Sequence, residues 1–331
     1  MKKIVLGVIV AVMALQTGCA GDRGKEKRYA IAFVPKIKGI PYFTACQKGA
    51  EEAGKELGLK VVYDGPTKAD RNLQLDLLNN WIASGEYDCL AVACTDKEGV
   101  APALRQAREQ KMPVVTYDAD APADARDFFV NMATYDGVAR AMVDALLEEL
   151  GANPKGKIGI VTSSLEAPNQ AEWAKRIKVL LKKYPDLEVL PEVVHGEDRD
   201  LGVRNAGALV RANRDQGLVG IIGLTSIAVP AAAEAVRQAG LSGKIAVTGV
   251  STPRDMRDYV KDGTVKSFIL WSPVDLGYLT VHVCDLVRQG KMPETGTIEA
   301  GRLKKIQVKD REVLLGEPLK FTKENLDKYD F

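Results

Sequence analysis

The sequence predicts an α/β protein with two similar lobes, each a doubly wound parallel sheet. Ten nearly continuous apolar runs rich in β-branched residues alternate with helical periods, as expected for parallel strands covered on both faces. The chain has 331 residues, and ten strands exceed the usual size of one sheet, so we expect two sheets of about five strands. Residues 95–118 also resemble residues 225–251, each with a strand-end threonine, a helix containing Arg-Gln-Ala and a following strand.

The predicted elements follow in order along the chain. The first half has strands at 29–34, 60–65, 89–94, 113–117 and 128–132, and the second half has strands at 157–163, 188–194, 218–224, 244–250 and 265–271. Apolar side chains three and four positions apart predict helices between the strands, as in the stripe Phe43, Cys46, Ala50, Ala53 and Leu57. Strands and helices that alternate at this length imply right-handed crossovers.

The N-terminus has the features of an export signal. Two lysines precede the apolar run 4–15, which is too short to span a bilayer. The run ends in LQTGCAG, which resembles a lipobox in which Cys19 is acylated, although Gln16 departs from that pattern. Cleavage after Ala20 to give a soluble product is the alternative. We expect residues 1–19 to be the signal and residues 20–28 a solvated tether, so that the protein reaches the periplasm or cell envelope and touches the membrane only through this lipid.

Composition and motifs argue against several classes of function. The net charge is +2 and no basic stripe with aromatic residues occurs, so we expect no nucleic-acid partner. Only two histidines and no Cys-x-x-Cys occur, so we expect no metal site, and the four cysteines after Cys19 are interpreted as buried thiols. Nucleotide-binding glycine motifs and the G-x-S-x-G elbow are absent from the sequence. We therefore expect neither a cofactor nor an enzyme.

The polar and aromatic side chains that follow the predicted strands indicate a ligand site. In open parallel sheets, ligands bind beyond the carboxyl ends of the strands. The candidates at these positions are Lys36, Tyr42, Phe43, Asp118, Asn169, Gln170, Thr225, Ser226, Ser251 and Trp271. Carboxylates and amides bond vicinal hydroxyls, and aromatic rings cover the C–H faces of a sugar, so this set favours a small, neutral, polyhydroxylated ligand.

Structural roles remain open for the same residues. Asp118 could serve the turn in DADAP, and Thr225 or Ser226 could cap the helix that follows. Asn169 could also be a helix cap, and the aromatic candidates could belong to the core. Trp173, one turn after Gln170, could be core or site, and Lys38 is expected to face solvent.

Several segments are similar to those of periplasmic sugar-binding proteins of ABC importers, in the ribose-binding class. They are IAFVPK, VVYDGPT, TYDAD, VSTPRDMRDYVKDGTVKSFILW and FTKENLDKYDF, and the resemblance covers almost everything after residue 28. Within the class, the rhamnose-binding and autoinducer-2-binding proteins are the most similar. The resemblance implies a type I periplasmic binding protein fold, a sugar held between two lobes, closure about a hinge, and delivery to a permease driven by an ATPase.

The resemblance also implies where the lobes divide. Three crossings would fall near 131–134, 271–273 and 297–300. The N-terminal lobe would then contain 29–131 plus 273–297, and the C-terminal lobe 132–272 plus 298–331. We expect the protein to be a monomer.

The same resemblance bears on the ligand. In autoinducer-2 binders, the positions that match Lys36, Asp118 and Gln170 carry the same residues. By contrast, Asn169, Leu224 and Ser226 stand where those proteins have aspartate, proline and alanine, and Leu224 becomes a candidate for this reason. A buried polar mismatch costs about 1–3 kcal/mol, so we expect a rhamnose-like deoxyhexose or a pentose. An autoinducer-2 receptor, a sugar-modifying enzyme and a repressor core are the alternatives.

Overall fold

The computed structural model describes residues 29–164, 166–196 and 198–331, without the side chains of residues 192 and 193. The predicted signal 1–19 with Cys19 and the predicted tether 20–28 lie outside the described residues. No helix within the described ranges is long and apolar enough to cross a membrane.

Strands and helices alternate through most of the described chain. The strands are β1 (Ala30–Val34), β2 (Lys60–Tyr63), β3 (Cys89–Val92), β4 (Val114–Tyr117), β5 (Phe128–Asn131), β6 (Gly156–Thr162), β7 (Leu187–His195), β8 (Leu218–Gly223), β9 (Ala246–Gly249), β10 (Ser267–Leu270), β11 (Gly296–Glu299), β12 (Lys305–Lys309), β13 (Glu312–Leu314) and β14 (Leu319–Thr322). The helices are α1 (Pro41–Leu57), α2 (Arg71–Ser84), α3 (Ala101–Glu109), α4 (Tyr135–Leu150), α5 (Pro168–Leu181), α6 (Arg199–Asn213), α7 (Ala228–Gln238), α8 (Pro253–Lys261) and α9 (Pro273–Arg288). All ten predicted strands are present.

Strands β1 to β9 form two parallel sheets, which confirms the predicted fold class. In the first sheet the order is β11-β12-β13-β5-β4-β3-β1-β2, and strands β1 to β5 pair in parallel. In the second sheet the order is β7-β6-β8-β9, again in parallel. Strand β10 pairs antiparallel with β14 and joins β9 through a bridge between Val250 and Ile269. The first lobe is the sheet of β1 to β5 with its helices, and the second is the sheet of β6 to β9 with its helices and β10.

One predicted boundary between the lobes is wrong. Residues 298–314 were expected in the C-terminal lobe, but β11, β12 and β13 form an antiparallel extension of the first sheet, and β13 pairs in parallel with β5. The chain therefore passes to the second lobe between β13 and β14, at 315–318, and not at 297–300. Strand β12 alternates exposed and buried residues, a pattern that any half-covered edge strand shows, so its sequence did not reveal which sheet it joins.

Proline at the start of a helix fixes the position of several site residues. Helices α1 and α5 begin at Pro41 and Pro168, each directly after the loop that follows β1 or β6. Proline suits the first helical turn because its missing N–H would have no partner there and its φ already matches the helix. The next side chains, Tyr42 and Asn169, are therefore held at the carboxyl edge of each sheet.

Candidate functional site

A small cavity lies between the carboxyl edges of the two sheets. Both lobes supply its walls. The predicted residues that line it are Lys36, Tyr42, Phe43, Asp118, Asn169, Gln170, Leu224, Thr225, Ser226 and Trp271. The structure thus brings together ten of the eleven predicted positions.

Asp118 has a strained backbone at the centre of a tight turn. Its φ is 61°, in the left-handed region, and the Ala119 N–H donates to the Tyr117 carbonyl oxygen across it at 2.5 Å. A turn closed in this way around a left-handed residue is rare and costs energy, and such strain concentrates at functional sites. The predicted turn therefore exists, but main-chain atoms close it, so the Asp118 carboxylate is left for the cavity.

The Asp118 carboxylate is the centre of a buried polar network at the carboxyl edge of the first sheet. Lys36 Nζ lies 2.7 Å from Asp118 Oδ2, and both side chains are less than 10% exposed. Tyr42 donates its hydroxyl proton to Asp118 Oδ1 at 2.8 Å and accepts a bond from Trp271 Nε1–H at 2.9 Å. Burial, together with the Asp118 charge, raises the pKa of Tyr42 well above its ordinary value, so the phenol stays neutral and remains a donor.

Asn169 joins the two lobes directly. Its Oδ1 accepts from Lys36 Nζ at 3.1 Å, and its Nδ2 donates to the Asp118 carbonyl oxygen at 3.4 Å. Its Oδ1 also accepts from the Gln170 backbone N–H at 3.0 Å, but Asn169 lies inside α5, whose N-cap is Ala167, so the capping alternative is wrong. Because α5 belongs to the second lobe, these bonds hold the cleft in a closed arrangement.

Gln170 is oriented by the loop after β6. Its Oε1 accepts from Thr162 Oγ1 and from the backbone N–H groups of Ser163 at 3.3 Å and Ser164 at 3.2 Å. With so many donors on the oxygen, the amide group has one reasonable orientation. The Nε2 protons have no protein acceptor in the described residues and are available to a bound molecule.

The remaining predicted residues differ in their surroundings. Thr225 Oγ1 accepts from the Ala228 N–H at 3.1 Å, so Thr225 caps the turn before α7 as well as lining the cavity. Ser251 does not line the cavity, although its hydroxyl is fully buried. The preceding residue, Val250, lines it instead, because neighbouring residues of extended chain face opposite sides.

Two charged residues near the site are bonded elsewhere. Lys38 forms an ion pair with Asp64 in which both side chains are at least 40% exposed, in line with the solvent-facing role predicted for it. Asp120 bonds to Arg126 and Thr116, so it offers no carboxylate to the cavity. In the described parts of the chain, no group of three His, Cys, Asp or Glu side chains could hold a metal ion.

A domain model described as periplasmic binding protein domain matches residues 31–292. The chain belongs to the periplasmic binding protein family. The resemblance predicted from the sequence is confirmed by this match and by solved structures. The chain is 32% identical to a sugar ABC transporter from Actinomyces odontolyticus ATCC 17982, with 92% of this chain and 98% of that chain covered and a TM-score of 0.72.

Two further structures resemble this periplasmic binding protein over most of its length. An ABC transporter solute binding protein from Clostridium phytofermentas with bound L-rhamnose is 26% identical, covers 91% of this chain and 98% of its own, and has a TM-score of 0.85. LsrB from Clostridium saccharobutylicum in complex with AI-2 is 24% identical, covers 91% of this chain and 100% of its own, and has a TM-score of 0.86. At that identity the second likeness establishes the fold alone.

Several cavity residues of this binding protein were missed by sequence reasoning. Thr95 and Ser163 follow strands β3 and β6, so the rule used for the other candidates could have found them. Ile37 and Ile40 lie in the loop before α1 and carry no comparable signal, because an apolar loop residue can equally pack on the core. Trp173, which the sequence left open, lines the cavity and is 1% exposed.

Proposed function

We propose that this binding protein is the sugar-binding component of an ABC importer. It holds one monosaccharide between its lobes and delivers it to a permease that is driven by an ATPase. Family membership and the similarity to a sugar ABC transporter and to a solute binding protein with bound L-rhamnose support this proposal. The observation that carries it is the convergence of Lys36, Asp118 and Gln170, from three separate strand ends, on one small closed cavity.

The charges in the cavity suit a neutral guest. Lys36 and Asp118 compensate each other at 2.7 Å, so a charged ligand would leave one charge unbalanced in a buried site. The Nε2 protons of Gln170 and Asp118 Oδ2, which lies beside Lys36 Nζ, can bond hydroxyl groups. The rings of Tyr42, Phe43 and Trp271 provide faces for the C–H groups of a sugar.

A deoxyhexose such as rhamnose, or a pentose, fits this cavity better than a hexose. Much of the wall is apolar, with Ile37, Ile40, Leu224, Ile227 and Val250 among the lining residues. A methyl group can pack on such a wall, whereas a buried hydroxyl without a partner costs about 1–3 kcal/mol. L-rhamnose and L-mannose differ only by the hydroxyl on C6, so this pair tests the preference directly.

Autoinducer-2 and sugar modification are the competing interpretations. The AI-2 complex of LsrB shares the fold. Lys36, Asp118 and Gln170 are the three positions at which the resemblance gives autoinducer-2 binders the same residues as this chain. A sugar-modifying enzyme would need a reactive group, and neither histidine is among the residues that line the cavity. Incubation with candidate sugars followed by product analysis tests the enzyme.

The proposed function is tested by thermal shift and isothermal titration of the purified mature protein. The ligands are L-rhamnose, L-mannose, D-ribose, D-arabinose and autoinducer-2. We expect L-rhamnose or a pentose to raise the unfolding temperature, since a ligand that binds only the native state stabilises it. L-mannose should bind about tenfold or more weakly than L-rhamnose. Selective binding of autoinducer-2 would replace the sugar assignment, and binding of none of these compounds would contradict it.

We also propose export and a lipid anchor on Cys19. Growth of cells with a labelled fatty acid should label the wild type and leave Cys19→Ser unlabelled. An unlabelled wild type recovered in the soluble periplasmic fraction would favour simple cleavage of the signal.

A further inference from the structure

Trp173 has a buried hydrogen-bond donor that the protein does not use. Its ring lies one helical turn after Gln170 in α5, lines the cavity and is 1% exposed. The Nε1–H has no acceptor among the residues that the structure describes. An indole N–H that is buried without a partner is unusual, because the lost bond to water is not replaced.

The neighbouring tryptophan shows the contrast. Trp271 lies with its ring centroid 6.0 Å from that of Trp173, and it also lines the cavity. Its Nε1–H donates to the Tyr42 hydroxyl at 2.9 Å and therefore has its bond within the protein. Of these two adjacent indole donors, only that of Trp173 is left for a ligand.

We propose that Trp173 determines ligand specificity by donating its Nε1–H to an acceptor oxygen of the bound sugar. This inference rests on the proposed function and adds a residue to it. An indole nitrogen only donates a hydrogen bond, whereas Asp118 Oδ2 only accepts one. Trp173 therefore bonds an oxygen lone pair of the sugar, and Asp118 bonds a hydroxyl proton of the same sugar. The Trp173 donor requires an oxygen with a free lone pair, either a hydroxyl or the ring oxygen, at its position in the cavity.

Substitution of Trp173 by phenylalanine removes the donor and keeps an aromatic ring. L-rhamnose is the probe, and isothermal titration measures its affinity. We expect Trp173→Phe to bind it about tenfold more weakly than the wild type. Trp81→Phe is the matched control, since Trp81 packs on Tyr87 outside the cavity and should leave the affinity unchanged.

Sugar analogues separate a hydrogen bond from a packing effect. The set is L-rhamnose lacking the hydroxyl on C2, C3 or C4, together with the analogue that has sulfur in place of the ring oxygen. The wild type should bind one analogue about tenfold more weakly than L-rhamnose. Trp173→Phe should bind the same analogue less than about threefold more weakly than it binds L-rhamnose. Equal losses for every analogue in both proteins would contradict the inference.

An NMR measurement on the unaltered site covers the case in which Trp173→Phe does not fold. The chain has three tryptophans, so three indole N–H signals are expected, and Trp81→Phe and Trp271→Phe assign them by elimination. L-rhamnose should move the Trp173 proton signal downfield and slow its exchange with water. An unmoved, fast-exchanging signal in a sugar-saturated protein would overturn this inference alone. A wild type that binds none of the sugars would contradict the proposed function, and this inference with it.

Discussion

At the residue scale, two lysines of one loop have opposite environments. Lys36 pairs with Asp118 where both side chains are under 10% exposed, whereas Lys38 pairs with Asp64 where both are at least 40% exposed. A buried ion pair is held in place by mutual compensation, and removal of one partner leaves a charge without a counterion. An exposed pair contributes about 0–1 kcal/mol. The first pair is therefore the one whose disruption should destabilise the protein most.

We expect Lys36→Met to lower the free energy of unfolding by about 3–5 kcal/mol, because Asp118 is then buried without its counterion. Asp118→Asn should destabilise for the same reason, and asparagine tolerates the left-handed backbone of this position. The double variant should be more stable than the sum of the two losses predicts. Urea unfolding without sugar measures all three.

Lys38→Met is the control for this series and should cost less than about 1 kcal/mol. Sugar binding should be lost in every variant at position 36 or 118 and kept in the control. Additive losses in the double variant would show that the two side chains are not energetically coupled.

At the element scale, α1 and α9 approach each other through glycines. A Cβ on Gly49 would lie 1.8 Å from the Val274 carbonyl oxygen, and one on Gly277 would lie 1.9 Å from that of Cys46. Backbone cannot move aside as a flexible side chain can, so both positions require glycine. This contact fixes α9, which is distant in sequence from the other helices of the first lobe, against the sheet.

Gly277→Ala should lower the free energy of unfolding by about 3 kcal/mol or more, since the two helices must separate. The matched control is Gly207→Ala in α6, where a new Cβ would meet only the end of the Arg211 side chain, at 3.1 Å. Alanine there should be neutral or stabilise by about 0.5–1 kcal/mol through helix propensity. Equal effects of the two substitutions in urea unfolding would contradict the close packing of α1 on α9.

Glu149 in the last turn of α4 gives a prediction of pH dependence. Burial raises its pKa above the ordinary value, although the charge of Lys266 opposes the shift. A carboxyl with a raised pKa in the folded state stabilises the protein below its unfolded pKa and loses that contribution as pH rises through the folded pKa. The negative charge of Glu149 also lies at the negative end of the helix dipole, which is unfavourable.

Glu149→Gln should therefore be more stable than the wild type at pH 7. The difference should shrink as the pH falls through the raised pKa of the folded state and should vanish below the unfolded value of about 4.5. Thermal unfolding of both proteins between pH 4 and 8 measures this. A difference that grows toward low pH would show that the Glu149 charge is favourable in the folded protein.

At the scale of the whole molecule, side chains of the two lobes bond to each other across the cleft. Asn169 in the second lobe bonds both Lys36 Nζ and the Asp118 carbonyl oxygen in the first. The chain passes between the lobes at 131–135, 270–273 and 315–318, so motion about these segments would open the cavity. Bonds across the cleft add to the stability of the closed arrangement before any ligand contributes.

Asn169→Ala should shift the unliganded protein toward the open form. Loss of a net hydrogen bond of about 1 kcal/mol changes the closed-to-open ratio about fivefold. Small-angle X-ray scattering without sugar should therefore show a larger radius of gyration for the variant than for the wild type. Ser226→Ala is the control, because it removes a cavity hydroxyl that has no partner across the cleft among the described residues, and it should scatter as the wild type does. An identical radius for all three proteins would show that the Asn169 bonds do not hold the lobes.

The sequence alone determined the order of strands β1 to β10 and of the helices between them, and most of the candidate site, whereas β11 to β14 were not predicted. Strands β1 to β10 are short apolar runs that are visible in the composition, and most of them, although not the edge strands β2 and β7, are buried on both faces. Side chains such as Lys36, Asp118 and Gln170 follow those runs directly, and the carboxyl ends of parallel strands meet at one edge of a sheet. Local pattern was therefore sufficient for these residues, and for the resemblance that the family match confirms.

Tertiary structure decided what depends on contacts between distant segments. The pairing of β13 with β5 placed residues 298–314 in the first lobe, and no local pattern specifies a partner strand. The bond from Trp271 to Tyr42 and the unpaired donor of Trp173 differ only in what lies beside two similar rings. Local sequence sets the preferences of each segment, whereas hydrogen-bond partners across 100 or more residues exist only once the chain has folded around them.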